Sequence, residues 1–337
     1  MTRAAVLTGL GTALPPGRVT NDDLAERLDT SDQWIRSRTG IAQRYWSTDQ
    51  STGDLAAEAG AAALNSAGSP PVDLVLVATT TPDHPCPATA PEVAARLGLG
   101  IVPAFDVAAV CTGFVYALAT ASAHIEAGMA HHVLVIGADT YSTILDPDDR
   151  GTTVIFGDGA GAVVLSDGEN TDPGALLGFE LGSDGTHREL ITIPGGGSRA
   201  RTSQGTHSDS PYFTMQGKAV FDHAVTRMGE STRAVLARVG WSADTVERLV
   251  GHQANVRILE SLARHLGVGR DRLVIDVDRV GNTSAASIPL ALARAVGDGA
   301  LVAGQRTVFT AFGGGLTWGS TALIWPDVKP NHAEENS

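Results

Sequence analysis

Short runs of apolar, β-branched residues alternate along this chain with longer Ala- and Leu-rich stretches. The runs predict strands at 4–11, 72–80, 103–109, 132–139 and 161–166, then at 176–183, 248–253, 273–277, 306–312 and 321–325. Each run is continuously apolar rather than alternating, the pattern of strands buried on both faces. The stretches between them predict helices at 111–127, 217–238, 255–266 and 284–296. Strand–helix–strand alternation of this kind argues an α/β fold.

The two halves echo one another. VLVIGAD followed by FGDGAGAVVLS closes the first, and RTVFTAFGGGLTWGSTALIW closes the second: a strand, a Gly-rich turn beginning with Phe, and another strand. We read an internal duplication, residues 1–170 and 171–328, with a polar Gly/Pro/Asp-rich link near 168–175. Residues 195–210 are poor in apolar side chains and read as a mobile loop, and the polar tail 329–337 reads as frayed.

Composition narrows the function classes. A chain of 337 residues exceeds one typical domain of ~100–200, in keeping with a doubled unit. Hydrophobic residues make up 43%, enough for a large core, while aromatics are only 5% and glycines number 39. That balance suits layers that approach closely. The net charge of -13 argues against nucleic-acid binding, which draws on Lys and Arg meeting phosphates. An anionic ligand must then be met by a local basic patch. Two cysteines, Cys86 and Cys111, point to free thiols in a reducing compartment. With no signal-peptide pattern and no apolar run of ~18 residues, the expectation is a cytoplasmic protein that does not enter a membrane.

Four places carry candidate chemistry. Cys111 lies where a predicted strand runs into a predicted helix, and a helix N-terminus favours a thiolate. The pattern alone leaves a nucleophile and an inert buried thiol both open. His252 ends a predicted strand ahead of a helix that Asn255 can cap, where a neutral imidazole can bond a substrate oxygen. Asn282 sits in a Gly-containing turn, as either a cap or a fixed donor to a developing oxyanion. Gly313, Gly314 and Gly315 separate two strands, as a tight hairpin or an oxyanion-hole turn. No His, Cys or carboxylate spacing suggests a metal site, and GLGTALPP and FGDGAGAVVL both lack the dinucleotide-binding context.

Six stretches occur in one order: TSDQWIRSRTGI (30–41), PAFDVAAVCTGF (103–114), DPDDRGTTVIFGDGAGA (146–162), GHQAN (251–255), GNTSAAS (281–287) and FGGGLTWGS (312–320). Together the chain closely resembles the β-ketoacyl-acyl-carrier-protein synthase III family of condensing enzymes, from about residue 5 to 326. The resemblance implies a thiolase-like five-layer αβαβα sandwich built from two duplicated halves and found as a homodimer. It implies Cys111 as the acylated nucleophile, and His252 and Asn282 as donors in a decarboxylative condensation. The backbone amides of Cys111 and Gly314 would form the oxyanion hole. Acyl-CoA and a malonyl acyl carrier protein are implied as substrates, without cofactor or metal. Thr30, Trp34, Arg38, Arg150 and Asn255 fall at CoA-binding positions, Phe156 and Phe213 at the acyl pocket, and Arg257 and Arg264 at the carrier-protein docking face.

Departures from the family pattern bear on specificity. Cys86 stands where a bulky Phe often reaches into the partner subunit's acyl pocket, so the expectation is a roomier pocket that accepts primers longer or more branched than acetyl. The alternative is that neighbouring bulk, Phe213 in particular, refills the space. Asp222 and His265 replace positions that are often Lys, thinning the docking face and leaving fatty-acid and polyketide priming both open. Other function classes fit less well. A biosynthetic thiolase needs a second cysteine near the C-terminal glycines, and Phe309–Ser320 has none. A non-catalytic partner subunit has no use for the Cys–His–Asn set. An acyltransferase of the same fold that makes no carbon–carbon bond stays the alternative, and retention of Asn282 argues for condensation.

Overall fold

The computed structural model describes residues 2–202 and 210–333. One sheet holds β1 (Arg3–Ala13), β2 (Leu74–Ala78), β3 (Ala104–Val107), β4 (His132–Asp139) and β5 (Gly159–Glu169). Their order is β1-β5-β4-β2-β3. A second sheet holds β6 (Phe179–Ser183), β7 (Arg248–Gly251), β8 (Arg306–Gly313) and β9 (Thr317–Ile324), in the order β7-β8-β9-β6. The two repeat one scheme. In the first, β2 pairs parallel with β4, β4 antiparallel with β5, and β5 antiparallel with β1. In the second, β7, β8, β9 and β6 follow with the same three senses.

Six main helices fill the layers: α1 (Asp32–Thr39), α2 (Thr52–Ser66), α3 (Gly113–Glu126), α4 (Gly217–Arg238), α5 (Val256–Leu266) and α6 (Ser287–Gly297). Helix α2 covers the outer face of the first sheet, and α4, backed by α5, covers the outer face of the second. Between the sheets lie α3 and α6, each touching both. The result is the five-layer αβαβα sandwich, one layer scheme per half. Small residues set the spacing: a methyl on Gly9 or Gly11 of β1 would run into the backbone of Ala63 on α2. The central layer buries Phe114, Val115 and Leu118 of α3 against Ile288, Ala291 and Leu292 of α6. Truncating one such side chain to Ala costs about 2–5 kcal/mol, so the helices that carry the site are firmly seated.

Two sequence expectations change. Residues 273–277 do not form a strand: only the Leu249–Leu273 bridge forms, and the amides of Asp276 and Val277 donate to the Gln253 side chain instead of a ladder. The tail is not frayed up to Ala333. Strand β10 (Asn331–His332) pairs parallel with Gly11–Thr12, and His332 Nδ1 lies 2.8 Å from Thr12 Oγ1. The 195–210 segment carries no core element among its described residues, and its base is closed by the Gly195 amide on the Ser210 carbonyl, 2.9 Å. Residues 203–209 and 334–337 lie outside the described residues.

Candidate active site

After β3 the chain bends through a 3-10 turn, Val110–Thr112, before entering α3 at Gly113. Val110 has φ 49°, a left-handed conformation that β-branched residues avoid. Such strain costs of order 1–3 kcal/mol and concentrates at functional turns. Cys111 therefore lies one turn ahead of the helix proper and is 8% exposed. Burial pushes its thiol up to about 12, the charge of Asp139 adds to this, and the Ser284 hydroxyl opposes it. Desolvation is the largest of these causes, and it favours the neutral thiol over the thiolate.

His252 follows β7, with its amide donating to Thr310 O at 2.8 Å. The ring is buried, which drives its pKa down to about 3 and keeps the imidazole neutral. Nδ1 lies 2.7 Å from Ser287 Oγ at the start of α6. Asn282 is clamped on both sides of its backbone, by its own amide to Ile155 O (2.9 Å) and by the Gly157 amide to its carbonyl (3.0 Å). Its Oδ1 accepts the Ser284 amide at 2.9 Å. An oxygen must meet that N–H, so the amide orientation is fixed and the NH₂ end is left as donor.

Cys111, His252 and Asn282 line one chamber, with Phe156, Phe213 and Phe312 among its other walls. Its free volume is about 30 Å³, the share of one water molecule. Phe213 packs edge-on to Phe156 (ring centroids 5.1 Å apart), and Tyr141 stacks on Phe156 at 4.5 Å. These three rings pack together at the chamber wall. Cys86 itself is exposed and does not line the chamber of its own subunit.

The glycine turn closes on the nucleophile. A methyl on Gly313 would lie 2.9 Å from the Cys111 amide nitrogen and 3.0 Å from that of Thr112. Gly314, the implied donor, abuts Ile191 of the chamber wall.

A cleft of about 460 Å³ adjoins the chamber. Ile155 and Asn255 line the cleft, while their chain neighbours Phe156 and Ala254 line the chamber. Trp34, Arg38, Lys218 and Arg257 also face the cleft, with Asp222 its one acidic group, so it is a basic mouth on an acidic protein. Arg38 and Arg150 lie over the Trp34 ring, 4.3 and 5.1 Å from its centre. Asn255 caps α5 through the Ile258 amide (2.9 Å), which commits its oxygen and leaves its NH₂ for a ligand. Thr30 precedes α1 outside the cleft lining. Arg264 is exposed two turns beyond Arg257 on α5.

Sequence reading missed Lys218, Phe221, Tyr141, Ser284, Ser287 and Asp139. Lys218 and Phe221 carried a usable signal, being one turn apart at the start of a long amphipathic helix. The others look locally like ordinary strand-end and helix residues.

Comparison with known proteins agrees with this architecture. Residues 105–185 match the family 3-oxoacyl-[acyl-carrier-protein] synthase III, and residues 236–325 match its C-terminal region. A β-ketoacyl-[acyl-carrier-protein] synthase III from Streptomyces coelicolor is 65% identical over 97% of this chain and 99% of its own. The crystal structure of 3-oxoacyl-(acyl carrier protein) synthase III from Pseudomonas aeruginosa superposes with a TM-score of 0.92, at 52% identity over 97% of this chain and 100% of that one. The priming β-ketosynthase of the R1128 polyketide pathway superposes at 0.90, with 32% identity over 97% of each chain. The chain belongs to the β-ketoacyl-acyl-carrier-protein synthase III family of acyl-transferring condensing enzymes.

Proposed function

We propose that Cys111 takes an acyl primer from acyl-CoA and that His252 and Asn282 then drive its condensation with a malonyl group on an acyl carrier protein. The observation that carries this reading is the meeting of Cys111, His252 and Asn282 in one buried chamber beside a basic, Trp-floored cleft. CoA lies in the cleft with its adenine against Trp34 and its phosphates near Arg38, Lys218 and Arg257. Sulfur attacks the thioester carbonyl, CoA leaves as its thiolate, and the Cys111 proton ends on the CoA thiol. Negative charge on the tetrahedral oxygen is met by the Cys111 amide and the glycine turn.

The malonyl thioester then loses CO2. The electron pair moves onto the thioester oxygen, where the neutral His252 ring and the Asn282 NH₂ each donate a hydrogen bond. The enolate carbon attacks the acyl-Cys111 carbonyl and expels the cysteine thiolate, which takes up one proton from solvent. Atoms and charges balance with no metal or redox cofactor. Each placed donor supplies about 3–4 kcal/mol to a developing oxyanion. The aromatic filling of the chamber favours a short primer, and Arg257 and Arg264 on one face of α5 suit an acidic carrier. Free thiols suit the cytoplasm, and a homodimer completes the reading; no helix among the described residues is long and apolar enough to cross a membrane.

The test is to incubate the protein with acyl-CoAs of increasing length, digest it, and weigh the Cys111 peptide. Malonyl-carrier protein is then added, and CO2 and the β-ketoacyl product are measured. An acyl adduct on Cys111 followed by CO2 release is expected. No adduct refutes the nucleophile assignment, and an adduct that is transferred without CO2 loss favours plain acyl transfer.

A further inference from the structure

Asp139 ends β4 fully buried, with no cation among its hydrogen-bond partners, and five donors converge on it. Oδ1 accepts from the Thr80 amide (2.7 Å), the Thr81 amide (3.2 Å) and the Thr79 and Thr81 hydroxyls (3.2 Å each). Oδ2 accepts from the Ala285 amide, 3.0 Å away and across the boundary between the halves. The preceding amide, Ser284, is the one that holds Asn282 Oδ1. Ser284 has φ 50°. A conformation this strained persists only where its surroundings over-determine it. The Asp139 carboxylate supplies that anchor.

The duplication gives the arrangement a second meaning. The 3-10 turn Val110–Thr112 leads into α3, and the 3-10 turn Ser284–Ala286 leads into α6; each begins at a non-glycine residue of positive φ. Cys111 in the first half thus corresponds to Ala285 in the second. Strands β4 and β8, of eight residues each, correspond as well and end at Asp139 and Gly313. Gly313 lies over the Cys111 amide and leaves it open for an oxyanion. At the matching place Asp139 puts a carboxylate on the Ala285 amide.

We propose that Asp139 is a positioning residue for Asn282: it fills the oxyanion-like site of the non-catalytic half and so locks the Ser284 turn that aims the Asn282 donor. This inference rests on the condensation reading above. Asp139→Asn keeps the shape but has one acceptor oxygen where the carboxylate uses two, so its NH₂ must face an amide donor and the turn loosens. The same change removes a negative charge that opposes ionisation of Cys111.

The two half-reactions of the full chain therefore separate the roles. Acetyl-CoA loading of Cys111 is followed by intact mass, and CO2 release is followed after addition of malonyl-carrier protein. Asp139→Asn is expected to load at or above the wild-type rate while CO2 release falls roughly 10- to 100-fold, somewhat less than outright loss of an oxyanion donor. In an Asn282→Ala background, Asp139→Asn is expected to cost less than twofold more, because it acts through Asn282. An equal loss in both half-reactions, failure to load at all, or full additivity with Asn282→Ala overturns the proposal. A wild-type chain that releases no CO2 sinks the proposed reaction and this inference together.

Discussion

Ser287 Oγ lies 2.7 Å from His252 Nδ1 and also receives the Gln253 amide at 3.3 Å. The hydroxyl has one proton and, with the amide as donor, is already an acceptor. All three groups are satisfied when Ser287 donates to Nδ1, which leaves the ring proton on Nε2. The chamber then faces an imidazole N–H with no positive charge, because burial keeps the pKa near 3. A neutral donor suits an enolate oxygen, since its charge state does not change through the pH range in which the enzyme works.

Ser287→Ala leaves Nδ1 unpartnered and lets the ring rotate and change tautomer. CO2 release is expected to fall roughly 10- to 100-fold, with Cys111 loading within about threefold of the wild type. Ser287→Thr keeps the hydroxyl and should retain most of the activity. Rates of the two half-reactions measured side by side decide it. Equal losses at both steps would mean a packing defect instead.

The protonated thiol gives a pH prediction. Only thiolate reacts with iodoacetamide, and a pKa near 12 leaves roughly one part in ten thousand ionised at pH 8. Alkylation of Cys111 in the unliganded enzyme should therefore rise about tenfold per pH unit from pH 7 to 10, without a plateau. Exposed Cys86 should be modified first. Peptide mass spectrometry resolves the two sites. A pH-independent, fast reaction at Cys111 would show a thiolate already present at rest.

The Trp34 ring, flanked by two guanidinium groups, predicts a binding effect without a chemical one. Stacking of a nucleobase on an aromatic ring contributes about 1–3 kcal/mol. Trp34→Ala is expected to raise KM for acyl-CoA roughly tenfold and leave kcat for bound substrate within about twofold. The opposite split, with kcat reduced and KM unchanged, would remove the adenine from this cleft.

Much of this was legible beforehand, for physical reasons. Strands buried on both faces leave continuous apolar runs, so β4 and β8 could be read to within a residue, and the Gly-rich turn after β8 exposed the duplication. The strand expected at 273–277 failed because Gln253 captures the amides that a ladder would use, a competition no local pattern records. The tail misled because its pairing partner, β1, lies more than 300 residues away in sequence. Cys111, His252 and Asn282 were visible because their residue types carry the chemistry. Asp139 and Ser287 were not, because their roles exist only through contacts with residues distant in sequence, Ala285 and His252. The burial of Cys111 was not legible for the same reason, since it is a tertiary property that a helix-terminus argument does not contain.

The glycine turn offers the sharpest test of geometry, because two adjacent glycines face different neighbours. A methyl on Gly313 would stand 2.9 Å from the Cys111 amide nitrogen and 3.1 Å from Thr112 Oγ1, in the space where a tetrahedral oxygen must sit. A methyl on Gly314 would meet Ile191, with its closest approach 3.0 Å to a side-chain carbon that can shift. Gly313→Ala is therefore expected to reduce Cys111 acylation by about 10²–10³-fold, the scale of losing an oxyanion-hole donor. Gly314→Ala keeps its own amide and should cost roughly tenfold or less. Acylation rates with acetyl-CoA, taken beside thermal midpoints to confirm folding, give the comparison. A Gly314→Ala loss as deep as that of Gly313→Ala would mean that the turn as a whole, rather than the open space above the Cys111 amide, is what the reaction requires.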